Sequence, residues 1–363
     1  MKYDPTILEK VDWNIINKYI EIDNIMLNKH PDYDIWILNY TKKCQYEKHW
    51  DLYTTSCRGL VIDKEGNILA RCMKKFFNYE EHDPSEIDMN QEFEIFEKLD
   101  GSMIEIFYYE EVNEWIIVSR GSFISDQALE AKKMIDSKPN VLDNLDKKYT
   151  FVFEVLFKSN QIVINYGNTY DLVLLTTIET KTGKELSYDD LVEKYSKCFT
   201  IVKKYDLNNI TDLSDLKKLE EDNKEGFVVK FPNFRTKVKY STYVKLHKII
   251  TGVSNLGVWE YLKEGKNFDE IINNVPDEWF NWLNKTINSL KVQYNAIETE
   301  ALNEYIRIYQ INDIVNGKEF AAEVKNHKYK TIIFNMFNKK HYEDIIWNMI
   351  RPKFCRGFGG DDL

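Results

Sequence analysis

The residue of this sequence with the clearest chemical potential is Lys98, which ends a strand-like run over residues 92–98. It stands two residues before Asp100-Gly101, a dipeptide typical of a hairpin turn, and a second strand-like run follows over residues 103–109. Such a turn exposes backbone N–H groups on which an anion can sit. A lysine beside a bound anion can act as a covalent nucleophile. The pattern is short enough to recur by chance, so its meaning depends on other groups at suitable distances.

Two carboxylates and two lysines further along the chain fit a charged site. Glu154 lies within an apolar run that predicts a buried strand over residues 150–157. An unpaired buried carboxylate is expensive, so Glu154 either pairs with a cation or faces a site. Glu225 leads into another β-rich run, and Lys237 and Lys239 alternate so that both face one side of a strand. A purely structural buried ion pair would use the same residue types.

Basic residues cluster in two places. Between residues 230 and 248 the sequence has six Lys or Arg residues and no acidic one. Such a run is often only a solvated face, but its position beside a strand entry favours a site. Arg58 and Lys75 flank a predicted hairpin, and Phe76-Phe77 follow. Basic residues beside aromatic ones suit the phosphates and base of a nucleotide, although a pair of phenylalanines is also common in a core.

The elements that must hold these residues fall into two groups. Apolar residues at helical spacing predict a first helix over 7–27. Strands are predicted at 35–40, 59–63, 67–71, 92–98, 103–109, 115–119, 150–157, 172–177, 225–230 and 236–239, with helices at 125–135 and 188–195. Beyond residue 241 the patterns favour helices, at 243–250, 258–262, 268–272, 277–308, 329–337 and 342–350. This change from mostly strand patterns to helical patterns predicts two domains, 1–250 and 251–363.

The totals are those of an ordinary soluble globular protein. The 363 residues suggest two domains, and 43% of them are hydrophobic and 30% charged. The net charge of −10 argues against an indiscriminate nucleic-acid coat, which depends on phosphate neutralisation. No apolar run approaches the roughly 18 residues of a membrane span, and no apolar signal segment opens the chain, so we expect a cytosolic protein. Five scattered cysteines argue against a disulfide framework and a zinc site.

Five ordered motifs make the sequence resemble the covalent nucleotidyltransferases, the superfamily of RNA ligases, DNA ligases and mRNA capping enzymes. The motifs are residues 98–102, 119–122, 153–154, 225–230 and 237–239. Cys57-Arg58-Gly59 and residues 75–78, with Ser102, are similar specifically to the phage-type ATP-dependent RNA ligase 1 family. The resemblance spans about residues 35–250. It implies an α+β fold, with a nucleotidyltransferase domain of mostly antiparallel sheets and flanking helices followed by a smaller all-helical C-terminal domain.

The resemblance also implies an activity and a set of site residues. The chain would be an ATP-dependent RNA ligase that joins RNA 5′-phosphate and 3′-hydroxyl ends through lysyl-AMP and RNA-adenylate, with RNA or tRNA repair as a candidate role. Lys98 would be the nucleophile, and the catalytic set would be Lys98, Lys237, Lys239 and Glu225. Glu154 and Glu225 would contact the ribose or hold Mg²⁺, for which Mn²⁺ can substitute. The residues implied to bind ATP are Arg58, Lys75, Phe77, Glu97, Gly101, Ser102, Arg120, Glu154, Lys237 and Lys239.

Three expectations accompany this resemblance. Arg120 stands where the family pattern has lysine, so a planar fork replaces a point charge. An ordinary lysine, with a pKa of about 10.4, is protonated at neutral pH, and we expect Lys237, Lys239, a bound metal and desolvation to lower the pKa of Lys98. The implied partner is single-stranded RNA or RNA nicked in a loop, with tRNA as one candidate. No membrane or protein partner is implied, and the location is the cytosol of the organism or of a virus-infected host cell.

Two other classes of protein compete with this interpretation. DNA ligases and capping enzymes share the lysine motif but normally add an oligonucleotide-binding β-barrel, whereas the segment after residue 250 here has helical patterns. A non-catalytic RNA-binding protein with the same fold is disfavoured by the intact motif lysines and glutamates. A P-loop kinase is excluded because the sequence lacks Gly-x-x-x-x-Gly-Lys.

Overall fold

The computed structural model describes residues 5–207, 210–252, 254–266, 277–311, 314 and 316–353. The chain forms two compact units, Met1–Val244 and Lys245–Leu363. The border between these ranges falls inside one helix, Ser241–Gly252, and residue 250 lies in the same helix. The assignment of one part to catalysis and the other to an accessory role stays a prediction, because compactness does not show function.

The first unit is built on three sheets with flanking helices. Its strands are β1 (Ile25–Lys29), β2 (Ile35–Tyr40), β3 (Arg58–Asp63), β4 (Ile68–Ala70), β5 (Phe77–Asn78), β6 (Glu94–Lys98), β7 (Ser102–Tyr109), β8 (Glu114–Ser119), β9 (Tyr149–Leu156), β10 (Asp171–Glu179), β11 (Thr200–Ile201), β12 (Lys204–Tyr205), β13 (Gly226–Lys230) and β14 (Arg235–Lys239). Its α-helices are α1 (Trp13–Glu21), α2 (Lys42–Glu47), α3 (Leu52–Ser56), α4 (Asp126–Asp136) and α5 (Tyr188–Tyr195), and α6 (Ser241–Gly252) begins at its end. Short 3₁₀ turns lie at Tyr79–Glu81, Pro84–Glu86, Leu142–Asn144, Lys158–Asn160 and Leu213–Leu219.

The three sheets are mostly antiparallel. Their strand orders are β1-β2-β3-β4, β11-β10-β9-β7-β8 and β12-β6-β13-β14-β5. The described pairs β10 with β11 and β14 with β5 are parallel, and the other described pairs within these sheets are antiparallel. The predicted α+β class with mostly antiparallel sheets is therefore confirmed.

The core lies on both faces of the sheet that contains β7. On one face Ile104 and Phe153 pack with Met134 and other apolar residues of one cluster. On the other face Phe107 packs with Val61 and further residues of β2 and β3 in a second cluster. Because successive side chains of a strand point to opposite faces, β7 places buried apolar residues on both faces of the sheet and is packed from both sides, although one of its buried positions is the carboxyl residue Glu105.

The predicted hairpin at Asp100-Gly101 is wrong. β6 pairs with β12 and β13, whereas β7 pairs with β8 and β9, so the chain passes from one sheet to another between Lys98 and Ser102. Gly101 is needed here for close packing, because a Cβ built on it would lie 2.5 Å from the carbonyl oxygen of Val155. The Asp-Gly pair marks a crossing between sheets at which backbones approach closely.

The first predicted helix is also shorter than expected. Asp12 caps helix α1 by accepting a hydrogen bond from the backbone N–H of Asn14, and the helix ends at Glu21. Asp23 then adopts a positive φ of 57°, and residues 25–29 form β1 against β2. The other predicted strands and helices in the first unit are confirmed within about two residues at each end. Elements that were not predicted are α2, α3, β1, β5, β11 and β12.

The second unit contains helices at Asn255–Lys263, Asp277–Ile306, Gly317–Val324, Lys330–Phe337 and Glu343–Met349, with π-helical turns at Arg307–Ile311. Ile308, Phe320, Ile333 and Ile346 lie in its buried apolar cluster. The predicted all-helical texture is thus confirmed for the described part, whereas the predicted helix over 268–272 lies outside the described residues. In the ranges that the structure describes, no helix is both long and apolar enough to cross a membrane.

Candidate active site

Three neighbouring strands bring two lysines to one buried carboxylate. In the ladder, Gly226 of β13 lies opposite Lys98 of β6 on one side and opposite Lys239 of β14 on the other. Glu225, which precedes Gly226, is 2% exposed, and its Oε2 lies 2.9 Å from Lys98 Nζ while its Oε1 lies 2.8 Å from Lys239 Nζ. Gly226 has a φ of 138°, a conformation that other residues rarely adopt, which lets the strand start directly at this pair.

Lys98, Glu225 and Lys239 form a triad whose electrostatics keep Lys98 protonated. Burial alone would lower the pKa of Lys98, but the carboxylates of Glu225 and Glu154 outweigh burial and raise that pKa above its ordinary value. The expected lowering of the Lys98 pKa is therefore wrong for the ligand-free chain, because the acidic neighbours act more strongly than the cations. Burial alone would raise the pKa of Glu225, but Lys98 and Lys239 outweigh it and lower that pKa.

Glu154 lies on β9 beneath the crossing between the sheets. Its Oε1 accepts a hydrogen bond of 3.0 Å from the backbone N–H of Gly101. Burial raises the pKa of Glu154 to about 7, and Lys98 opposes this rise. Glu154 thus ties the crossing to β9 while changing its own charge near neutral pH, and the Gly101 N–H donates to this carboxylate in the ligand-free chain.

Asp100 fixes the crossing through hydrogen bonds with two other segments, residues 163–166 and helix α6. Its Oδ2 accepts from the backbone N–H groups of Val163 (2.8 Å) and Ile164 (3.0 Å), and its Oδ1 accepts from the Tyr243 hydroxyl at 2.7 Å. The Asp100 backbone N–H donates to the Tyr166 hydroxyl oxygen at 2.8 Å. A carboxylate with this many charge-assisted partners holds the chain next to Lys98 in one place.

Ser102, the residue after Gly101, is held in the same way. Its hydroxyl donates to Asn160 Oδ1 at 3.0 Å, and the Asn160 amide donates to the carbonyl oxygen of Val155 at 3.2 Å. Asn160, Tyr166 and Tyr243 are partners of the Lys98 segment that were not predicted from the sequence. No local pattern could have identified them, because they lie 58 to 143 residues from their partners in the chain.

Three further cations lie near the triad without a carboxylate at ion-pair distance among the described residues: Arg58, Lys75 and Lys237. Arg58 Nη1 contacts the sulfur atoms of Cys72 (3.1 Å) and Met103 (3.0 Å). Burial, together with the charges of Lys75, Lys98 and Lys239, lowers the pKa of Lys237 to about 6. A cluster of partly buried cations whose members have no carboxylate at ion-pair distance among the described residues is unfavourable on its own and is complementary to a polyanionic ligand.

Aromatic rings line this cationic corner. The Lys75 ammonium lies over the rings of Tyr40, Trp50 and Phe77, and the Arg120 guanidinium lies over Tyr40 at 5.6 Å from the ring centre. Burial alone would raise the pKa of Tyr40, but the positive charges of Lys75, Arg58 and Arg120 outweigh it and lower that pKa. Arg120 is exposed, so its fork is accessible from solvent.

The structure therefore brings most of the sequence-predicted site residues together. Lys98, Glu225 and Lys239 are in direct contact, and Glu154, Gly101 and Ser102 lie at the adjoining crossing. Arg58, Lys75, Phe77, Arg120 and Lys237 form the cationic and aromatic corner. Glu97 is not brought to this side, because it precedes Lys98 on β6 and adjacent strand residues point to opposite faces.

Comparison with known proteins gives these features a context. A family model described as RNA ligase matches residues 56–245 of the chain. An RNA ligase of Rhodothermus phage RM378 is 20% identical over 368 residues, which covers 80% of each chain. A protein of Autographa californica nuclear polyhedrosis virus, assigned as a bifunctional polynucleotide kinase/RNA ligase, is 26% identical over 65% of this chain and 36% of its own length. A protein of Thermovibrio ammonificans assigned as an RNA ligase is 27% identical, with 61% of this chain and 59% of that protein covered.

Among solved structures, a Naegleria gruberi RNA ligase variant without ligand is similar to this chain with a TM-score of 0.42 and 18% identity. The matched region covers 49% of this chain and 57% of the Naegleria protein. Another variant of that ligase, with AMP and Mn, gives a TM-score of 0.39 and 16% identity over 48% of this chain and 57% of that one. The chain thus spans about a third to three fifths of the viral and Thermovibrio relatives.

Proposed function

This chain belongs to the RNA ligase family, and on that premise we propose that it joins RNA 5′-phosphate and 3′-hydroxyl ends at the expense of ATP. The observation that carries the proposal is the position of Lys98. It shares the buried Glu225 with Lys239. It also lies near Arg58, Lys75 and Lys237, which have no carboxylate at ion-pair distance among the described residues. A lysine nucleophile next to a preformed polyanion site is what nucleotide transfer to lysine requires.

The reaction has three steps. The neutral amine of Lys98 attacks the α-phosphorus of ATP, so that a P–N bond forms, the bond to pyrophosphate breaks and the amine loses its proton. An oxygen of the RNA 5′-phosphate then attacks the same phosphorus, which releases Lys98 and gives an RNA-adenylate. Finally the RNA 3′-hydroxyl attacks the 5′-phosphorus, its proton is lost to solvent, and AMP leaves as the phosphodiester forms.

The charges of the ligand-free site suggest how the first step is controlled. Lys98 is an ammonium group in the ligand-free chain, because Glu225 and Glu154 raise its pKa. An ammonium group cannot attack phosphorus, so nucleotide binding has to be accompanied by loss of the Lys98 proton. Lys237 titrates in the opposite sense. Its pKa of about 6 leaves it mostly neutral at pH 7. Bound phosphates would raise that pKa, so that Lys237 becomes protonated and its ammonium group stabilises negative charge on the α-phosphate.

Glu154 and Glu225 are the candidates to hold Mg²⁺, for which Mn²⁺ can substitute. Mg²⁺ is commonly bound by one or two carboxylates, with phosphate oxygens and water as the remaining ligands. The site fits this pattern, since it supplies two carboxylates, Glu225 and Glu154, that both act on the nucleophile Lys98. When bound, the metal would neutralise the leaving pyrophosphate. Glu225 would be freed for it only as its contacts with Lys98 and Lys239 loosen.

The finer substrate and the division of labour are also proposals. We assign adenylyl transfer to residues 1–250 and RNA selection to the helical residues 251–363, with a nicked RNA loop such as that of a broken tRNA as the candidate substrate. The support is that every sequence motif lies before residue 250. A cytosolic location agrees with the free thiols of Cys44, Cys57, Cys72 and Cys198.

A direct test is to offer a 5′-phosphorylated single-stranded RNA and a nicked DNA duplex side by side, with ATP or GTP and Mg²⁺. We expect ligation of the RNA with ATP and little ligation of the DNA. Glu97→Gln is the matched control for Glu225→Gln, because the resemblance implies a site role for both glutamates but only Glu225 contacts Lys98. Preferential joining of the DNA nick, or equal rates with GTP, would contradict the proposal.

A further inference from the structure

The Lys75 ammonium lies in a cage of three aromatic rings. Its Nζ is 5.2 Å from the ring centre of Phe77, 5.5 Å from that of Trp50 and 5.6 Å from that of Tyr40. The negative face of an aromatic ring attracts a cation, most strongly for tryptophan. Since no described carboxylate lies at ion-pair distance from Lys75, the rings take the place that an acidic partner would otherwise occupy.

The cage is held in a fixed geometry. The Trp50 ring meets Tyr40 edge-on at 5.1 Å and Phe77 at 5.4 Å, so the three rings brace one another. Asp51, the residue after Trp50, caps helix α3 through a reciprocal pair of hydrogen bonds with Thr54. The same helix region holds the Lys75 backbone, because its N–H donates to the carbonyl oxygen of Thr55 at 2.8 Å.

An aromatic cage differs from a carboxylate in one important respect. Rings attract the ammonium group without neutralising it, so its charge and its hydrogen-bond donors stay available to an incoming anion. A glutamate in place of Trp50 would hold Lys75 more firmly but would compete with a phosphate for it. The cage also leads towards the triad, because Phe77 lies on β5 and pairs with Thr236 of β14, the strand that carries Lys237.

We infer that Trp50 is a positioning residue, which orients Lys75 towards the β- and γ-phosphates of the nucleotide during formation of lysyl-AMP. This inference rests on the proposed function, in which Arg58, Lys75 and Lys237 form a polyanion site, and it assigns that site to the triphosphate of ATP. Trp50 itself touches no reacting atom and acts only through Lys75. Its loss should therefore weaken the use of ATP, whereas the later steps, which involve no triphosphate, should proceed as before.

The test compares Trp50→Ala and Trp50→Phe with Lys75→Ala and the double variant Trp50→Ala/Lys75→Ala. For lysyl-AMP formation from ATP, we expect Trp50→Ala to raise KM roughly tenfold, which corresponds to about 1.4 kcal/mol, with a smaller change in kcat. Trp50→Phe retains a ring and should lose less. Joining of chemically adenylated RNA should be unchanged in both Trp50 variants.

The double variant decides between positioning and a merely structural role. If Trp50 acts through Lys75, the double variant should match Lys75→Ala alone. Additive losses, or an equal loss in the joining of adenylated RNA, would overturn the inference. If the unmodified protein forms no lysyl-AMP at all, the proposed function fails, and binding of inorganic triphosphate measured by calorimetry then tests Trp50 alone. Binding to Trp50→Ala as tight as to the unmodified protein would also overturn it.

Discussion

Replacing Lys237 by methionine should make the ligand-free protein more stable at neutral pH. Lys237 lies in a buried group of cations and has no described carboxylate partner, so its ammonium form is unfavourable in the folded chain. Lys239, two residues along on the same face of β14, provides the matched control. It differs in lying 2.8 Å from Glu225, so the same replacement at Lys239 breaks an ion pair.

The magnitude follows from the pKa of Lys237, which is about 6 in the folded chain and 10.5 for an ordinary lysine. Between these two pH values the unfolded chain holds a proton that the folded chain has lost, so unfolding becomes easier as the pH falls. At pH 7 the gap from 10.5 is about 3.5 pH units, and at roughly 1.4 kcal/mol per unit this gives an upper limit of about 5 kcal/mol. Lys237→Met should recover part of this free energy, and the gain should vanish as the pH approaches 10.5.

The assay is urea-induced unfolding at several pH values from 7 to 10, followed by circular dichroism, with the free energy of unfolding taken from each curve. Lys239→Met should lower that free energy by about 1 to 3 kcal/mol, because it leaves Glu225 with a single cation. Both variants should lose activity, but only Lys237→Met should gain in the free energy of unfolding. A loss of stability in Lys237→Met at pH 7, or a gain that does not shrink with rising pH, would refute this reasoning.

Gly101→Ala should lower the free energy of unfolding by roughly 1 to 3 kcal/mol in a urea titration, because its Cβ would lie 2.5 Å from the carbonyl oxygen of Val155; an unchanged midpoint would contradict the close packing. The pKa of Glu154 is raised to about 7, so between about pH 4.5 and 7 the folded chain keeps a proton that the unfolded chain has lost. The contribution of Glu154 to the free energy of unfolding is therefore complete below about pH 4.5 and falls by up to about 3 kcal/mol as the pH rises to 7. Glu154→Gln should remove that slope, and an unchanged pH profile would speak against it. A chain cut after Gly252 should still form lysyl-AMP but lose preference for a cleaved RNA loop; a folded, soluble truncation without lysyl-AMP would contradict the proposed division.

Much of the site could be anticipated because its residue types are unusual for their local context. Glu154 stands out within a run of apolar residues, and Lys237 and Lys239 alternate on one strand. Charged residues at such positions need partners, so the sequence alone indicates a charged site. What it does not contain is the partner of each charge, since the contact between Lys98 and Glu225 spans 127 residues and depends on strand pairing.

The errors have physical reasons of the same kind. Turn chemistry predicts a hairpin at Asp100-Gly101, but the Asp100 carboxylate binds distant partners, and Gly101 is needed for close packing against β9. The predicted lowering of the Lys98 pKa rests on Lys237, Lys239, a bound metal and desolvation, and it leaves out the acidic neighbours. The two glutamates that raise it come from β9 and the start of β13, and their distances could be known only from the fold.

The most direct measurement for this account is the site of covalent AMP attachment. The protein is incubated with ATP and Mg²⁺, digested and analysed by mass spectrometry, with Lys98→Arg and Lys239→Arg as paired variants that each retain the positive charge. We expect an acid-labile AMP adduct on the peptide that contains Lys98, its absence in Lys98→Arg, and attachment still at Lys98 in any adduct that Lys239→Arg forms. An adduct on another lysine, or a covalent adduct that persists in Lys98→Arg, would contradict the central claim.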